Sequence, residues 1–189
     1  MNQWSLSKSI GFYGFHLSYI MVACCFPTYA AEPLDGFRDL KFGMTPVTVK
    51  ALTTCTTSDE CIYELSNKNR YVNLTYALES TSPGSDGNKT PQLVKISIDM
   101  GPYTDEWHQQ LQVILGNSYR LTHDFTDETA KAFLALKFEE LKAGYEDGQV
   151  VLKVVRRPFG NMVLKVVYQS PTLATDFIRE AHTHFATTP

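Results

Sequence analysis

What this chain lacks first is charge at its start. Lys8 is the only charged side chain in residues 1–30, and residues 10–26 form an apolar run interrupted mainly by His16 and Ser18. Pro27, Thr28, Tyr29 and Ala30 follow, which places small residues at −3 and −1 of a cleavage point after a helix breaker. A positive start, an apolar middle and a small-residue end make the layout of a secretory signal. A membrane anchor is the other reading, although the run is short for the ~20 residues that a bilayer requires. Clustered basic residues are also missing. The formal charge is −3, and removal of residues 1–30 takes one lysine and makes it −4. Nothing in that balance draws the chain to nucleic acid or to an anionic lipid surface.

Catalytic signatures are absent as well. No Gly-x-Ser-x-Gly, His-Glu-x-x-His or phosphate-cradling glycine loop occurs. His182 and His184 suggest a metal pair, but on a helix they lie about 200° apart and cannot face one ion. His108 and His123 stand singly. Acidic pairs such as Asp105-Glu106 and Glu146-Asp147 fall at helix starts and turns, where carboxylates belong without any catalytic role. The residues therefore name no catalytic side chain, no cofactor and no metal ligand.

Cysteine is scarce, with four in the chain. Cleavage after Ala30 removes Cys24 and Cys25 and leaves Cys55 and Cys61, an even pair suited to a disulfide in an oxidising compartment. Their spacing is not that of a Cys-x-x-Cys redox site, and no further ligand lies near for a metal. Lipidation at Cys24, preceded by Met21-Val22-Ala23, is the alternative, and it would leave Cys25 as an odd thiol. The expected location is the periplasm or the medium.

What is present reads as alternating strands and capped helices. Thr45-Pro46 starts a short helix carrying Val47, Val49, Ala51 and Leu52. Strands are expected at residues 61–65, 70–78 and 92–100, the second with Val72, Leu74, Tyr76 and Leu78 on one face and the third with Val94, Ile96 and Ile98. Residues 79–91 are rich in Ser, Gly, Pro, Asn and Asp and read as a loop. Thr104 caps a helix with Trp107, Leu111, Ile114 and Leu115 as its stripe, ended by Gly116, and a second helix spans residues 127–136. Residues 137–145 fit either helix or strand. The Glu146-Asp147-Gly148 turn and the strands after it favour a three-stranded meander over 139–169. Ser170-Pro171 opens a last helix with Leu173, Phe177, Ile178, Ala181 and Phe185.

The expectation is an α+β fold over residues 31–189: an antiparallel sheet of about six strands with helices mainly on one face. The order suggests two helix-plus-meander units, 34–100 and 101–189. At one hairpin tip Arg156 and Arg157 precede an exposed Phe159, a combination favoured at protein interfaces.

Phe42-Gly43-Met44-Thr45, followed by Val49 and Leu52, resembles the Gly-Met-Thr-x-x-x-Val opening of small bacterial envelope proteins. Among these are the SmpA/OmlA outer-membrane-assembly lipoproteins and the β-lactamase-inhibitor-protein type. The resemblance implies helices laid on a short antiparallel meander. It carries over no functional residue, because the motif is a turn and a cap, and Thr53-Thr54-Cys55 stands where Gly-x-Pro often closes it. The functional expectation is an exported, non-enzymatic binding protein: an inhibitor, an immunity-type protein or an envelope-assembly partner. The alternative is a secreted hydrolase or virulence enzyme whose site converges from distant carboxylates and histidines.

Overall fold

A computed structural model describes residues 34–78, 90–136 and 139–186, with side chains as far as Arg179. The expected signal over 1–30 with Cys24, most of the polar loop after Leu78, and the side chains of His182 and His184 lie outside the described residues. Those that are described belong to one compact unit.

The chain enters through a small hairpin that the pattern did not announce, β1 (Gly36–Phe37) and β2 (Leu40–Lys41). Gly36 is required there, since a Cβ would sit 2.0 Å from the Leu40 carbonyl oxygen. Helix α1 (Pro46–Lys50) is capped as expected, with Thr45 Oγ1 accepting from Thr48 N–H at 3.3 Å. It buries Val49 but leaves Val47 81% exposed. Three strands follow: β3 (Glu60–Leu65), β4 (Lys68–Ala77) and β5 (Gln92–Pro102). Next come α2 (Asp105–Ser118), β6 (Leu121–His123) and α3 (Asp127–Leu134). The second meander is β7 (Glu140–Tyr145), β8 (Val150–Arg156) and β9 (Met162–Gln169), and α4 (Pro171–Ala186) closes the chain. The segment that fitted both periods is therefore strand from Glu140 onward.

All seven main strands form one antiparallel sheet in the order β3-β4-β5-β9-β8-β7-β6. The expected count of about six is corrected to seven. The addition is β6, three residues between the two expected helices, which pairs with the end of β7. The two meanders meet through their last strands, β5 against β9.

One row of side chains shows how the core is built. Cys61, Val72, Ile98, Val166, Leu152 and Ala143 are register partners in turn across six strands. None of them is more than 4% exposed. Val49 of α1, Leu111 and Leu115 of α2 and Phe133 of α3 join the same cluster. Burying one such aliphatic side chain stabilises by about 1.5–3 kcal/mol, so the sheet supplies the platform that α1, at five residues, cannot provide for itself.

Several expected positions shift, each for a local reason. A register break between Thr75 and Tyr76 puts Tyr76 opposite Leu93, and Leu93 rather than Val94 joins the core cluster with Ile96 and Ile98. Leu78 lies beyond the end of β4 and is 61% exposed. On α2, Ile114 is 50% exposed and His108 is buried instead. That helix also runs past Gly116 to Ser118, because no left-handed residue turns it there. Helix α4 lies on the reverse face of the sheet. A Cβ on Gly144, between the core residues Ala143 and Tyr145, would come within 2.5 Å of Phe177 Cε1.

Candidate functional site

One end of the molecule gathers the turn between β8 and β9, the C-terminal end of α3 and the start of α2. The turn closes through Arg157 N–H donating to the Asn161 carbonyl at 2.7 Å and Gly160 N–H to that of Arg157 at 2.9 Å. Phe159 stands at its tip, 94% exposed. Its two cationic neighbours are committed elsewhere. Arg156 Nη2 donates to the Phe133 carbonyl at 2.8 Å, and its guanidinium lies 4.8 Å from the Phe133 ring centroid. Arg156 thus ties the end of α3 to the sheet. Arg157 Nη2 reaches Asp99 Oδ2 at 3.1 Å and ties the turn to β5. Of the three residues read as a tip, Phe159 alone projects with no such tie among the contacts described.

Below the tip lies a cleft of about 420 Å³, lined by Tyr103, Asp105, Ala130, Phe133, Leu134, Leu141, Val154 and Met162. That volume is within the usual range for a pocket that takes a ligand or a partner's side chain. Its wall is apolar apart from one hydrogen-bonded pair, Tyr103 Oη donating to Asp105 Oδ1 at 2.6 Å. Burial and that carboxylate push the Tyr103 phenol up to about 12, so it keeps its proton and acts as a donor. Met162 joins cleft to tip, being the register partner of Arg156 on the other arm of the hairpin.

The rim is what sequence reasoning missed. Leu134 is 68% and Leu136 70% exposed. Leu136 also has φ 62°, with its N–H donating to the Phe133 carbonyl at 3.1 Å, the place where a glycine usually ends a helix. A non-glycine residue held left-handed costs on the order of 1 kcal/mol. An exposed leucine in that conformation is unfavourable in two ways at once. The available signal was the apolar Phe133, Leu134 and Leu136 at the end of a helix whose stripe needs only Phe133.

Behind Tyr103 sits His108, 9% exposed and with Nε2 buried without a hydrogen-bond partner. Its ring stacks on Phe125 at 5.3 Å and tilts against Tyr103 at 5.7 Å. Burial lowers its pKa from 6.5, against the opposing pull of the Asp105 and Asp124 carboxylates. The unfolded chain therefore takes up this proton first as pH falls, and stability drops as pH decreases below about 6.5. A His108→Phe variant keeps the stacking and is expected to lose that part of the pH dependence. Chemical denaturation of both proteins between about pH 7.5 and 5.5 reads the difference. His123 lies elsewhere, its ring centroid 6.0 Å from that of Phe177.

Cys55 and Cys61 are bonded, with Cα atoms 3.8 Å apart. The bridge holds residues 54–57 against the outer edge of β3, where Ile62 N–H donates to the Thr54 carbonyl at 2.8 Å and Thr56 N–H to that of Glu60 at 3.0 Å. The other sheet edge, β6, is three residues long. Covered or very short edges leave little room for a partner to add a strand. Among the described residues no group of three His, Cys, Asp or Glu side chains converges to hold a metal ion, and no helix is long and apolar enough to cross a membrane. No protein-family model, curated protein or solved structure matches the chain.

Proposed function

We propose that this chain is an exported, periplasmic, non-enzymatic binding protein that engages another protein through its α3 and β8–β9 end. The observation that carries the reading is the exposure of three large apolar side chains on the elements at this end: Leu134, which lines the cleft, at 68%, Leu136 two residues on at 70%, and Phe159 of the hairpin tip at 94%. Large apolar side chains left exposed together at one end of a fold are characteristic of interaction sites. An aromatic on a hairpin whose flanking arginines are tied down has only two side-chain torsions to order on docking, which suits it to an anchor role. The cleft lining offers a tyrosine that stays protonated and a single carboxylate, which suits binding better than acid–base chemistry.

Export is supported by the apolar start with its small-residue end and by the Cys55–Cys61 disulfide. The resemblance to small envelope proteins rests on Gly43-Met44-Thr45, where Gly43 has φ 86° and Thr45 caps α1. An exposed apolar anchor of this kind would serve an inhibitor, an immunity-type protein or an assembly partner alike.

The test compares Phe159→Asp and Arg156→Ala with the unsubstituted protein, each immobilised against an envelope extract of the host. Phe159→Asp is expected to melt like the parent and to bind the parent's main partner roughly tenfold or more weakly, as for a hot-spot residue. Arg156→Ala is expected to be destabilised by about 1.5–3 kcal/mol, since it removes a charged hydrogen bond to the end of α3. A partner held equally well by Phe159→Asp would remove this end of the molecule from the binding surface.

A further inference from the structure

Helix α2 carries a second feature, independent of the apolar end. After Asp105 and Glu106 in its first turn, no Lys, Arg, Asp or Glu occurs from Trp107 to Tyr119. The buried side of the helix is His108, Leu111 and Leu115. The opposite side holds Glu106, Gln110, Val113 and Asn117, spaced so as to share one face, and all four are exposed. Val113 stands in the middle of that face, 62% exposed, and Ile114 on its flank is 50% exposed. A Cβ on Gly116 would meet nothing within 4 Å. The outward face of a helix is ordinarily its most charged part, and α3 follows that rule with Asp127, Glu128 and Lys131. Depletion of charge around exposed aliphatic side chains is the compositional mark of an interface.

The charges that remain are placed evenly about Val113. Glu106 lies seven residues before it and Arg120 seven after. Gln110 Nε2 donates to Glu106 Oε1 at 3.3 Å, which keeps that carboxylate on the outward face. Along the axis Glu106 is about 10 Å from Val113. Arg120 follows Tyr119, whose φ of −136° and ψ of 143° end the helix in extended backbone. Five helical rises and two extended steps put Arg120 at a comparable distance on the other side, on the order of 10–14 Å. Arg120 Nη2 meets Asp147 Oδ2 at 3.2 Å, with the two side chains 69% and 67% exposed. An ion pair so exposed contributes little and can exchange partners. A face with an acidic end and a basic end equally far from an apolar centre complements a reversed copy of itself.

We infer that this face of α2 binds a second copy of the chain, the two helices antiparallel about a two-fold axis at Val113. Val113 then meets its own counterpart, and each Glu106 faces Arg120 of the partner subunit. A parallel pairing would set Glu106 against Glu106, like charge against like. With 14 residues, α2 offers a strip about 21 Å long and about 10 Å wide. That is well short of the roughly 800 Å² per partner of a standard interface, so the dimer is a weak one that forms at high concentration.

The test is sedimentation of the purified protein from about 10 μM to about 1 mM, the range in which a weak dimer assembles. The parent's mass is expected to rise from monomer towards dimer. Val113→Glu is expected to stay monomeric, because it sets two carboxylates against each other at the axis. Val47→Glu, at the exposed position of α1, is expected to associate like the parent. Glu106→Lys and Arg120→Glu are each expected to self-associate roughly tenfold more weakly than the parent. Their mixture is expected to recover the parent's association, since the mixed pair restores both contacts between opposite charges. Mixing reads the interface whatever either substitution does to stability, because the same two proteins are measured apart and together. A parent that stays monomeric, a Val113→Glu that associates like the parent, or a mixture no stronger than its components would overturn the inference. So would a photo-reactive amino acid at position 113 that cross-links to a different protein and not to a second copy.

Discussion

Truncating Ile98 to alanine is expected to lower folding stability by about 2–5 kcal/mol, the range for removing a large aliphatic side chain from a packed core. Ile98 is 2% exposed and lies near the middle of the sheet, opposite Val72 on β4 and Val166 on β9. It sits where one meander meets the other, so a cavity there loosens both halves and neither can close over it alone. A domain of this size is usually stable by about 5–15 kcal/mol, so the loss is a large share of the total. Urea denaturation followed by fluorescence measures it, with a shifted midpoint and an unchanged slope expected for a loss of stability alone. A loss under about 0.5 kcal/mol, typical of a surface substitution, would contradict the core assignment.

The second large effect is at the disulfide. Reduction, or the Cys55→Ala/Cys61→Ala pair, is expected to cost about 2 kcal/mol through the freed loop in the unfolded chain. Alanine avoids burying a hydroxyl at Cys61, which is fully inaccessible. The bridge also holds residues 54–57 along β3, and their release bares the hydrogen-bonding edge of the sheet. Aggregation at high protein concentration is therefore expected to rise together with the loss of stability. Denaturation with and without reductant separates the parent, which should respond, from the alanine pair, which should not. Equal stability of the reduced and oxidised parent would contradict a stabilising role for the bridge.

Much of the architecture was legible where local chemistry decides it. Thr45, Thr104 and the Ser170-Pro171 step announced three helix starts, and Glu146-Asp147-Gly148 announced a hairpin. These signals work because the capping hydroxyl or the left-handed turn residue acts within a few positions of itself. The bulge at Thr75/Tyr76, the three residues of β6 and the burial of His108 were not legible, because each depends on a partner distant in sequence. His108 is buried against Phe125 from the connection before α3, and Ile114 is left 50% exposed on a side of α2 away from the core cluster.

The candidate surfaces divide in the same way. Phe159 could be picked out as a tip residue because a Pro-Phe-Gly turn between two strands has nowhere to bury an aromatic. The structural commitment of Arg156 to Phe133 depends on where α3 ends, and the pattern does not say.

The central claim is that the α3 and β8–β9 end binds a protein partner. The most direct measurement places a photo-reactive amino acid at position 159 in the native host and, as a control, at the similarly exposed position 47 of α1. Irradiation is expected to yield a discrete cross-linked protein from position 159 that is absent at position 47 and is lost when Leu136→Asp is added. No product at 159, or the same products from both positions, would contradict the claim.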